Sequence, residues 1–150
     1  MLILGTFDSS GNAIISIRVT GASGSKNYDA IIDTGFSGFV ALPFLEMVEL
    51  GLTTQGAANV MLGDGSIITN HVSSADVTLG IQVENGTILL DENSSDVLVG
   101  MAFLREFKKS LILTNSTVVL YDEHETLETI IQLMREAPQG QPNTNQTDID

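Results

Sequence analysis

Short apolar segments with a period of two, separated by turn residues, occupy most of this 150-residue chain. Apolar side chains fill every second position from residue 13 to residue 19, as in a β-strand that buries one face. A turn cluster at residues 8–12 separates this segment from an apolar run at residues 2–7, so the two segments predict a hairpin. A chain made mainly of such segments is expected to fold as an all-β domain.

The same pattern continues to residue 121 with two short helical interruptions. Further strands are predicted at residues 28–33, 59–62, 66–69, 72–79, 81–83, 87–90, 111–113 and 117–121. A loop is predicted at residues 21–26. A helical turn is predicted between Pro43 and Gly51, because proline favours the start of a helix and glycine its end. A second short helix is predicted at residues 101–109.

The C-terminal part of the chain has a helical pattern. Leu127, Ile130, Ile131 and Met134 are spaced i, i+3, i+4 and i+7, which puts them on one face of a helix predicted at residues 123–136. The simplest interpretation is that this face packs on its own domain. The alternative is a contact with a dimer mate or another partner.

The chain therefore divides into three predicted parts. Residues 1–121 form the folded domain, and residues 122–137 contain the amphipathic helix. The twelve residues that follow Pro138 contain one apolar side chain, Ile149. A segment with so little apolar surface to bury is predicted to be disordered, so residues 138–150 are assigned to a disordered tail.

The charge balance is strongly acidic, with 19 acidic and 6 basic residues and a formal net charge of −13. Such a chain is not expected to bind nucleic acid by neutralising phosphates, and anionic membrane surfaces should repel it. The apolar start is too short for a signal peptide, and no run approaches the roughly 20 apolar residues of a membrane-spanning helix. The predicted location is the cytoplasm. The absence of cysteine excludes disulfides, thiolate metal sites and a cysteine nucleophile.

A lone acid, Asp33, stands between apolar segments. Ile31 and Ile32 precede it, and Thr34 and Gly35 follow it. An ionised carboxylate among apolar neighbours is costly unless partners compensate for lost hydration. The plain interpretation is a turn aspartate that caps local N–H groups, and the alternative is a functional carboxylate.

Two further motifs follow Asp33 along the chain. Residues 62–66, with the sequence L-G-D-G-S, have the signature of a hairpin turn. Residues 96–100, with the sequence D-V-L-V-G, form an apolar run that ends in glycine and precedes the second predicted helix.

Together these motifs resemble those of retropepsin-like aspartic proteases. The D-T-G-F sequence of residues 33–36, with Leu42 and Pro43 after it, is similar to the D-T-G-F type of clan AA in bacteria and archaea. The resemblance spans residues 2–121 and implies a retropepsin-like acid protease barrel with one short helix after the second motif. The C-terminal helix is an extension without a clear counterpart in the retroviral enzymes. The resemblance further implies an aspartic endopeptidase that hydrolyses extended peptides without a cofactor or metal ion.

The resemblance also aligns residues 31–35 with residues 96–100 as two similar halves, so Leu98 takes the position of Asp33. It therefore implies a homodimer, because the chain carries one such aspartate where the family's chemistry needs two. Two copies of Asp33 would share one proton and activate a water molecule. Thr34 would pair with its mate across the dimer, and Gly35 would let the backbone donate an N–H group to the carboxylates. The implied peptide-binding residues are Phe36, Ser37, Gly38, Leu62, Gly63, Asp64, Gly65 and Val99.

Two departures from the family's pattern favour an alternative function. Phe36 stands where a small or hydroxylated residue is usual, and Met101 follows Gly100 where retroviral proteases usually have arginine. A hydroxyl group at position 36 would support the charge of a carboxylate, and phenylalanine cannot. The alternative is a catalytically weak, protease-like dimer that serves as a peptide-binding or assembly module. His71 and His124 lack ligand-spaced partners, so no metal site is predicted.

Overall fold

The computed structural model describes residues 1–61 and 63–136 of the chain. The described residues form strands β1 (Leu2–Phe7), β2 (Ala13–Gly21), β3 (Gly24–Ile32), β4 (Val40–Pro43), β5 (Gly56–Met61), β6 (Ile67–Leu79), β7 (Gln82–Asp91), β8 (Leu98–Val99), β9 (Lys109–Leu113) and β10 (Val118–Asp122). They also form helices α1 (Glu46–Leu50), α2 (Met101–Glu106) and α3 (Leu127–Glu136). The predicted all-β fold class is confirmed, with α2 after the second motif and α3 as the C-terminal extension. The predicted disordered tail, residues 138–150, lies outside the described residues.

Six strands close into a barrel in the order β6-β7-β4-β8-β3-β2, because β6 pairs both with β7 and with β2. The length of β6 makes this closure possible. Its residues 71–79 pair with β7 along one edge. Along the other edge its first residues pair with β5, and residues 76–78 pair with β2. The barrel interior contains the inward-facing side chains of β2, among which Ile15, Ile17 and Val19 are at most 2% exposed.

A smaller three-stranded sheet, β1-β10-β9, extends from the barrel through β1. The predicted hairpin of β1 and β2 is present but short, since Thr6 and Phe7 pair with β2 while Leu2 to Gly5 pair with β10. Its turn is closed by the carboxylate of Asp8, which accepts hydrogen bonds from the N–H and the side-chain amide of Asn12 and from the N–H of Ser10. These hydrogen bonds hold the pKa of Asp8 below its usual range.

Two local predictions are corrected by the pairing of strands. The loop predicted at residues 21–26 is a tight hairpin in which Gly21 pairs with Gly24, so the two strands continue almost to the turn. The helix predicted at residues 101–109 ends at Glu106. Lys108 has a left-handed backbone with φ of 52°, which ends the helix, and Lys109 pairs with Asp122 as the first residue of β9.

Lys109 is 5% exposed and forms an ion pair with Asp122. The amino group of Met1 also contacts Asp122, and Lys109 and Met1 together lower the pKa of Asp122 to about 2. The side chains of His124 and Glu125 lie beside Asp122, close enough to be considered as a ligand set. Because cations already neutralise these carboxylates, we interpret the group as an ion-pair cluster that ties β9 to β10 and β1.

Helix α3 begins at Leu127, four positions after the predicted start at residue 123. On its apolar face Ile130 is 2% exposed, whereas Leu127 is 67% exposed and Ile131 is 41% exposed. Met134 is half-buried, so the prediction that this face packs on its own domain holds fully for Ile130 and partly for Met134. None of the helices in the described part of the chain has the length and apolar character needed to span a bilayer.

Candidate functional site

Asp33 lies directly after the end of β3, in the middle of the sheet. Strand β3 runs parallel to β8, with Ile31 opposite Leu98 and Ile32 opposite Val99. The N–H of Asp33 continues this ladder by donating to the carbonyl of Val99 at 2.9 Å. The two motifs that sequence analysis aligned are therefore brought side by side.

The carboxylate of Asp33 is held by its own turn. The Oδ1 atom of Asp33 accepts a hydrogen bond from the N–H of Gly35 at 2.9 Å. The main-chain carbonyl of Asp33 accepts one from the N–H of Phe36 at 3.1 Å. Asp33 is half-buried, while Thr34 and Gly35 are exposed. The carboxylate is thus oriented by a local N–H group and remains accessible to a water molecule or a substrate. A turn aspartate would make the same local contacts, so these contacts alone do not assign a function.

Residues 33–39, called here the Asp33 loop, are fastened to the start of α2. Met101 donates its N–H to the carbonyl of Phe36 at 2.8 Å, and Ala102 donates to the carbonyl of Gly38 at 3.1 Å. The N–H of Gly100 donates to the carbonyl of Phe39 at 3.2 Å. These bonds between segments distant in sequence place the loop at one fixed position over the barrel.

An aromatic cluster links the end of the Asp33 loop to α2 and the residue that follows it. The Phe39 ring centroid lies 5.6 Å from that of Phe103 and 6.1 Å from that of Phe107. Phe103 and Phe107 are separated by 4.5 Å. All three residues are buried. Aromatic pairs at these distances add stabilisation beyond the area that they bury, so the loop rests on a rigid base.

A cavity of about 270 Å³ lies between the Asp33 loop and strands β5 to β7. The loop and β4 contribute Gly35, Phe36, Ser37, Gly38, Phe39 and Val40, and the other strands contribute Ala58, Asn59, Met61, Val72, Thr87 and Leu89. Most of these side chains are apolar. The cavity can therefore hold an apolar side chain within reach of the loop that carries Asp33.

The predicted peptide-binding residues Phe36, Ser37 and Gly38 line this cavity. Val99 does not contribute its side chain, because that side chain is fully buried in the core. The carbonyl of Val99 instead positions Asp33. Leu62 lies outside the described residues.

The predicted hairpin at residues 62–66 is formed by β5 and β6, with Met61 opposite Ile67. In its turn, the Ser66 hydroxyl donates to Asp64 Oδ1 at 2.6 Å and the Ser66 N–H donates to the same atom at 2.9 Å. These bonds hold the pKa of Asp64 below its usual range. Gly65 has φ of 85°, which favours glycine. Gly63, Asp64 and Gly65 therefore form a structured tip beyond the cavity.

Six cavity residues on β5, β6 and β7 were not among the residues proposed from sequence. They are Ala58, Asn59, Met61, Val72, Thr87 and Leu89. Alternation within each strand indicates that Thr87 and Leu89 share a face. That pattern does not reveal which strand lies beside the Asp33 loop, and the parallel pairing of β4 with β7 supplies this information.

A second cavity, of about 350 Å³, is lined by residues of β1, β2 and β3 and of the segment before β8. Its lining residues are Thr6, Asp8, Ile14, Asp29, Ile31, Ser95, Asp96 and Val97. Asp29 and Asp96 are exposed, and the Asp8 carboxylate is occupied by the β1–β2 turn. This cavity is more polar than the one beside the Asp33 loop.

Comparison with known proteins gives a family and a fold. A family model described as retroviral aspartyl protease matches residues 19–126, well over half of the chain. Among solved structures, a retropepsin-like aspartic protease from Rickettsia conorii matches with a TM-score of 0.58 and 19% sequence identity, covering 80% of this chain and 88% of that chain. At this identity the likeness shows a shared fold.

A second solved structure, a protein of unknown function from Legionella pneumophila, matches with a TM-score of 0.38 and 15% identity, covering 61% of this chain and 84% of that chain. A match of this strength carries no functional conclusion. No curated protein matches the chain significantly.

Proposed function

Because the chain belongs to the retroviral aspartyl protease family, we propose that it is an aspartic endopeptidase in which Asp33 activates water for the hydrolysis of extended peptides. The observation that carries this proposal is the position of Asp33. It follows β3 at the junction with β8, it is oriented by the N–H of Gly35, and its loop borders an apolar cavity.

The active species in this proposal is a homodimer. The chain contains one Asp-Thr-Gly sequence, and Leu98 stands at the corresponding position of the second motif. A single half-buried carboxylate cannot serve at the same time as general base and general acid, and the family's chemistry needs both. A second copy of the chain would supply the other Asp33 across a two-fold axis.

Two carboxyl groups in close contact cannot both ionise readily, so the pair would hold one proton. The ionised Asp33 removes a proton from water as the water oxygen bonds to the carbonyl carbon of the substrate. The protonated Asp33 of the partner subunit donates its proton to the carbonyl oxygen. The carboxyl pair then donates its proton to the amine nitrogen of the resulting gem-diol as the C–N bond breaks. One hydroxyl group of the gem-diol returns its proton to the pair as the carbonyl group of the new carboxylic acid forms, so the pair again holds one proton. No covalent bond between enzyme and substrate forms in this sequence.

The proposed substrates are extended peptide segments with an apolar side chain next to the cleaved bond. The 270 Å³ cavity beside the Asp33 loop is the place for that side chain. Met61 and Ile67, which are 71% and 63% exposed at the end of the β5–β6 hairpin, would become covered if the hairpin closed over a bound peptide. Closure would also exclude water and add main-chain hydrogen bonds.

Cleavage of an unfolded protein by the wild type and by Asp33→Asn tests this function. The amide has nearly the shape of the carboxylate but cannot act as a base, so turnover should be lost while the fold is kept. Asp76→Asn is the matched control, because Asp76 is an exposed aspartate on β6 whose carboxylate accepts a bond from Asn85. Undiminished turnover by purified Asp33→Asn would refute the assignment.

The second candidate function is a protease-like dimer that binds peptides or assists assembly with little turnover. Phe36 favours it, since no hydroxyl group at this position supports the charge of Asp33. In that case the wild type would bind apolar peptides, measurable by calorimetry, without cleaving them, and Asp33→Asn would bind them equally well. The cytoplasmic location stays a prediction, which cell fractionation can test.

A further inference from the structure

The residue that follows the Asp33-Thr34-Gly35 turn is a phenylalanine whose ring lies against two glycines. A Cβ atom placed on Gly38 would lie 2.4 Å from Cζ of Phe36, and one placed on Gly100 would lie 2.6 Å from its Cδ1. Non-bonded carbon atoms do not approach this closely, so the ring occupies space that a side chain at either position would need. The contact joins the Asp33 loop to the segment that begins α2.

Glycine is needed at these two positions because it has no side chain, and not because the backbone adopts a conformation that other residues avoid. Gly100 has φ of −117° and ψ of −164°, an extended conformation that any residue adopts. Gly38, which lies in the described part of the chain, does not have a positive φ. The carbonyl groups of Phe36 and Gly38 would also lie 2.4 Å and 2.5 Å from a Cβ atom on Gly100. Both glycines are therefore required by the close approach of Phe36 and its loop.

The backbone of Phe36 is bonded both to Asp33 and to α2. Its N–H donates to the carbonyl of Asp33 at 3.1 Å, and its carbonyl accepts the N–H of Met101 at 2.8 Å. Gly35, which precedes it, donates its N–H to the Asp33 carboxylate. Any rotation of residue 36 would therefore move the turn that orients this carboxylate.

We propose that Phe36 is a positioning residue for Asp33: its ring, packed against Gly38 and Gly100, locks the Asp33 loop onto α2 and thereby fixes the direction of the carboxylate. Packing takes the place of the hydrogen bond that a hydroxylated residue at this position would offer. The structural part of this inference is independent of turnover, and its consequence for catalysis rests on the proposed function.

Phe36 also lines the 270 Å³ cavity, so a loss of activity in a Phe36 variant has two possible causes. A residue that only contacts the substrate changes KM, by an amount that depends on the substrate side chain. A residue that positions Asp33 lowers kcat for every substrate, because the misplaced carboxylate affects the chemical step. The two roles therefore differ in the split between kcat and KM.

A double-mutant cycle of Phe36→Ala and Gly38→Ala tests the lock without any need for turnover. The readout is hydrogen exchange of the Gly35 and Met101 amides, which donate to the Asp33 carboxylate and to the Phe36 carbonyl. In the Phe36 background, Gly38→Ala forces the ring away and should speed exchange of both amides about tenfold or more. In the Phe36→Ala background the new methyl group fits into vacated space, so the same change should add less than about twofold.

Phe36→Leu and Phe44→Ala complete the set. Leucine refills part of the space, so Phe36→Leu should restore much of the protection and also serves if Phe36→Ala fails to fold. Phe44 is a half-buried phenylalanine outside the Asp33 loop that packs against the core. Phe44→Ala should lower stability without selectively exposing the Gly35 amide. Equal effects of Gly38→Ala in both backgrounds, or full protection of the Gly35 amide in Phe36→Ala, would overturn the proposal.

The kinetic arm uses peptides with small and large apolar side chains. Phe36→Ala should lower kcat by roughly tenfold to a hundredfold for all of them, and Phe36→Leu should recover part of it. Unchanged kcat with a raised KM would show that Phe36 only contacts the substrate, and the positioning role would be rejected. If the wild type has no turnover, the proposed function fails, and the exchange experiment still decides whether the lock exists.

Discussion

The N–H of Asp33 donates to the carbonyl of Val99 at 2.9 Å, which joins the two related halves of the chain at the residue proposed to carry the chemistry. Val99 is fully buried, so this anchor is shielded from water and held by the core. Strands β3 and β8 run parallel up to this point. A substitution that disturbs the core at β8 should therefore shift the backbone of Asp33 through this hydrogen bond.

Mixing wild-type protein with Asp33→Asn tests whether each active site uses two chains. If subunits exchange freely, the peptidase activity should fall with the square of the wild-type fraction, because a mixed dimer holds one carboxylate where two are needed. Activity is followed in subunit-exchange mixtures at constant total protein, with Asp76→Asn as the diluting control. A linear fall with Asp33→Asn would mean that one Asp33 suffices.

Filling the cavity beside the Asp33 loop should change substrate preference. Ala58 lines this cavity, so Ala58→Leu should disfavour peptides with a large apolar side chain by about tenfold or more, relative to peptides with a small one. The neighbouring Ala57 is exposed on the same strand and faces the opposite way. Ala57→Leu is therefore the control, and kcat/KM for a matched peptide series is the measurement. Identical preferences in both variants would remove the cavity from the substrate site.

The ion pair between the buried Lys109 and the partly exposed Asp122 should make the stability of the fold depend on pH. The pKa of Asp122 in the folded protein is lowered from 3.8 to about 2, so its contribution is present above pH 4 and is lost as pH falls toward 2. Asp122→Asn should lower the free energy of unfolding at pH 7 by on the order of 2 kcal/mol, because Lys109 keeps a buried charge without its counterion.

Urea unfolding of the wild type and Asp122→Asn between pH 7 and pH 2 measures this difference. The gap between the two proteins should narrow below pH 4. The exposed pair of Lys26 and Glu49 provides a comparison, since Glu49→Gln should change stability far less than Asp122→Asn does. A gap that stays constant down to pH 2 would contradict the role assigned to Asp122.

Substitution of two adjacent isoleucines in α3 can distinguish packing of the helix on its own domain from contact of the helix with another chain. Ile130 is 2% exposed and Ile131 is 41% exposed. Ile130→Ala should lower the free energy of unfolding by about 2–4 kcal/mol, whereas Ile131→Ala should change it by less than about 0.5 kcal/mol. Thermal melts at several protein concentrations check both. A loss for Ile131→Ala that depends on concentration would show instead that this face binds a second chain.

Sequence patterns alone identified the elements whose signals are local. The alternation around Ile15 and Ile17, the hairpin around Gly63 and Gly65, and the turn of Asp33 are each determined by neighbouring residues. The all-β fold class follows from these features, since strand period and turn chemistry act over a few residues. The choice of Asp33 as the candidate acid came instead from the resemblance of its motif and the two later motifs to those of retropepsin-like proteases. The resemblance also aligned residues 31–35 with residues 96–100, whereas the parallel pairing of Ile31 with Leu98 is known only from the structure.

Tertiary structure alone decided which distant side chains share a surface. The parallel pairing of β4 with β7 brings Leu89 to the cavity, and the core takes the side chain of Val99. The same long-range packing seats Phe36 against Gly100 and leaves Ile131 of α3 partly uncovered. Local sequence does not encode these outcomes, because strand order and register arise from the simultaneous burial of many side chains distant in the chain.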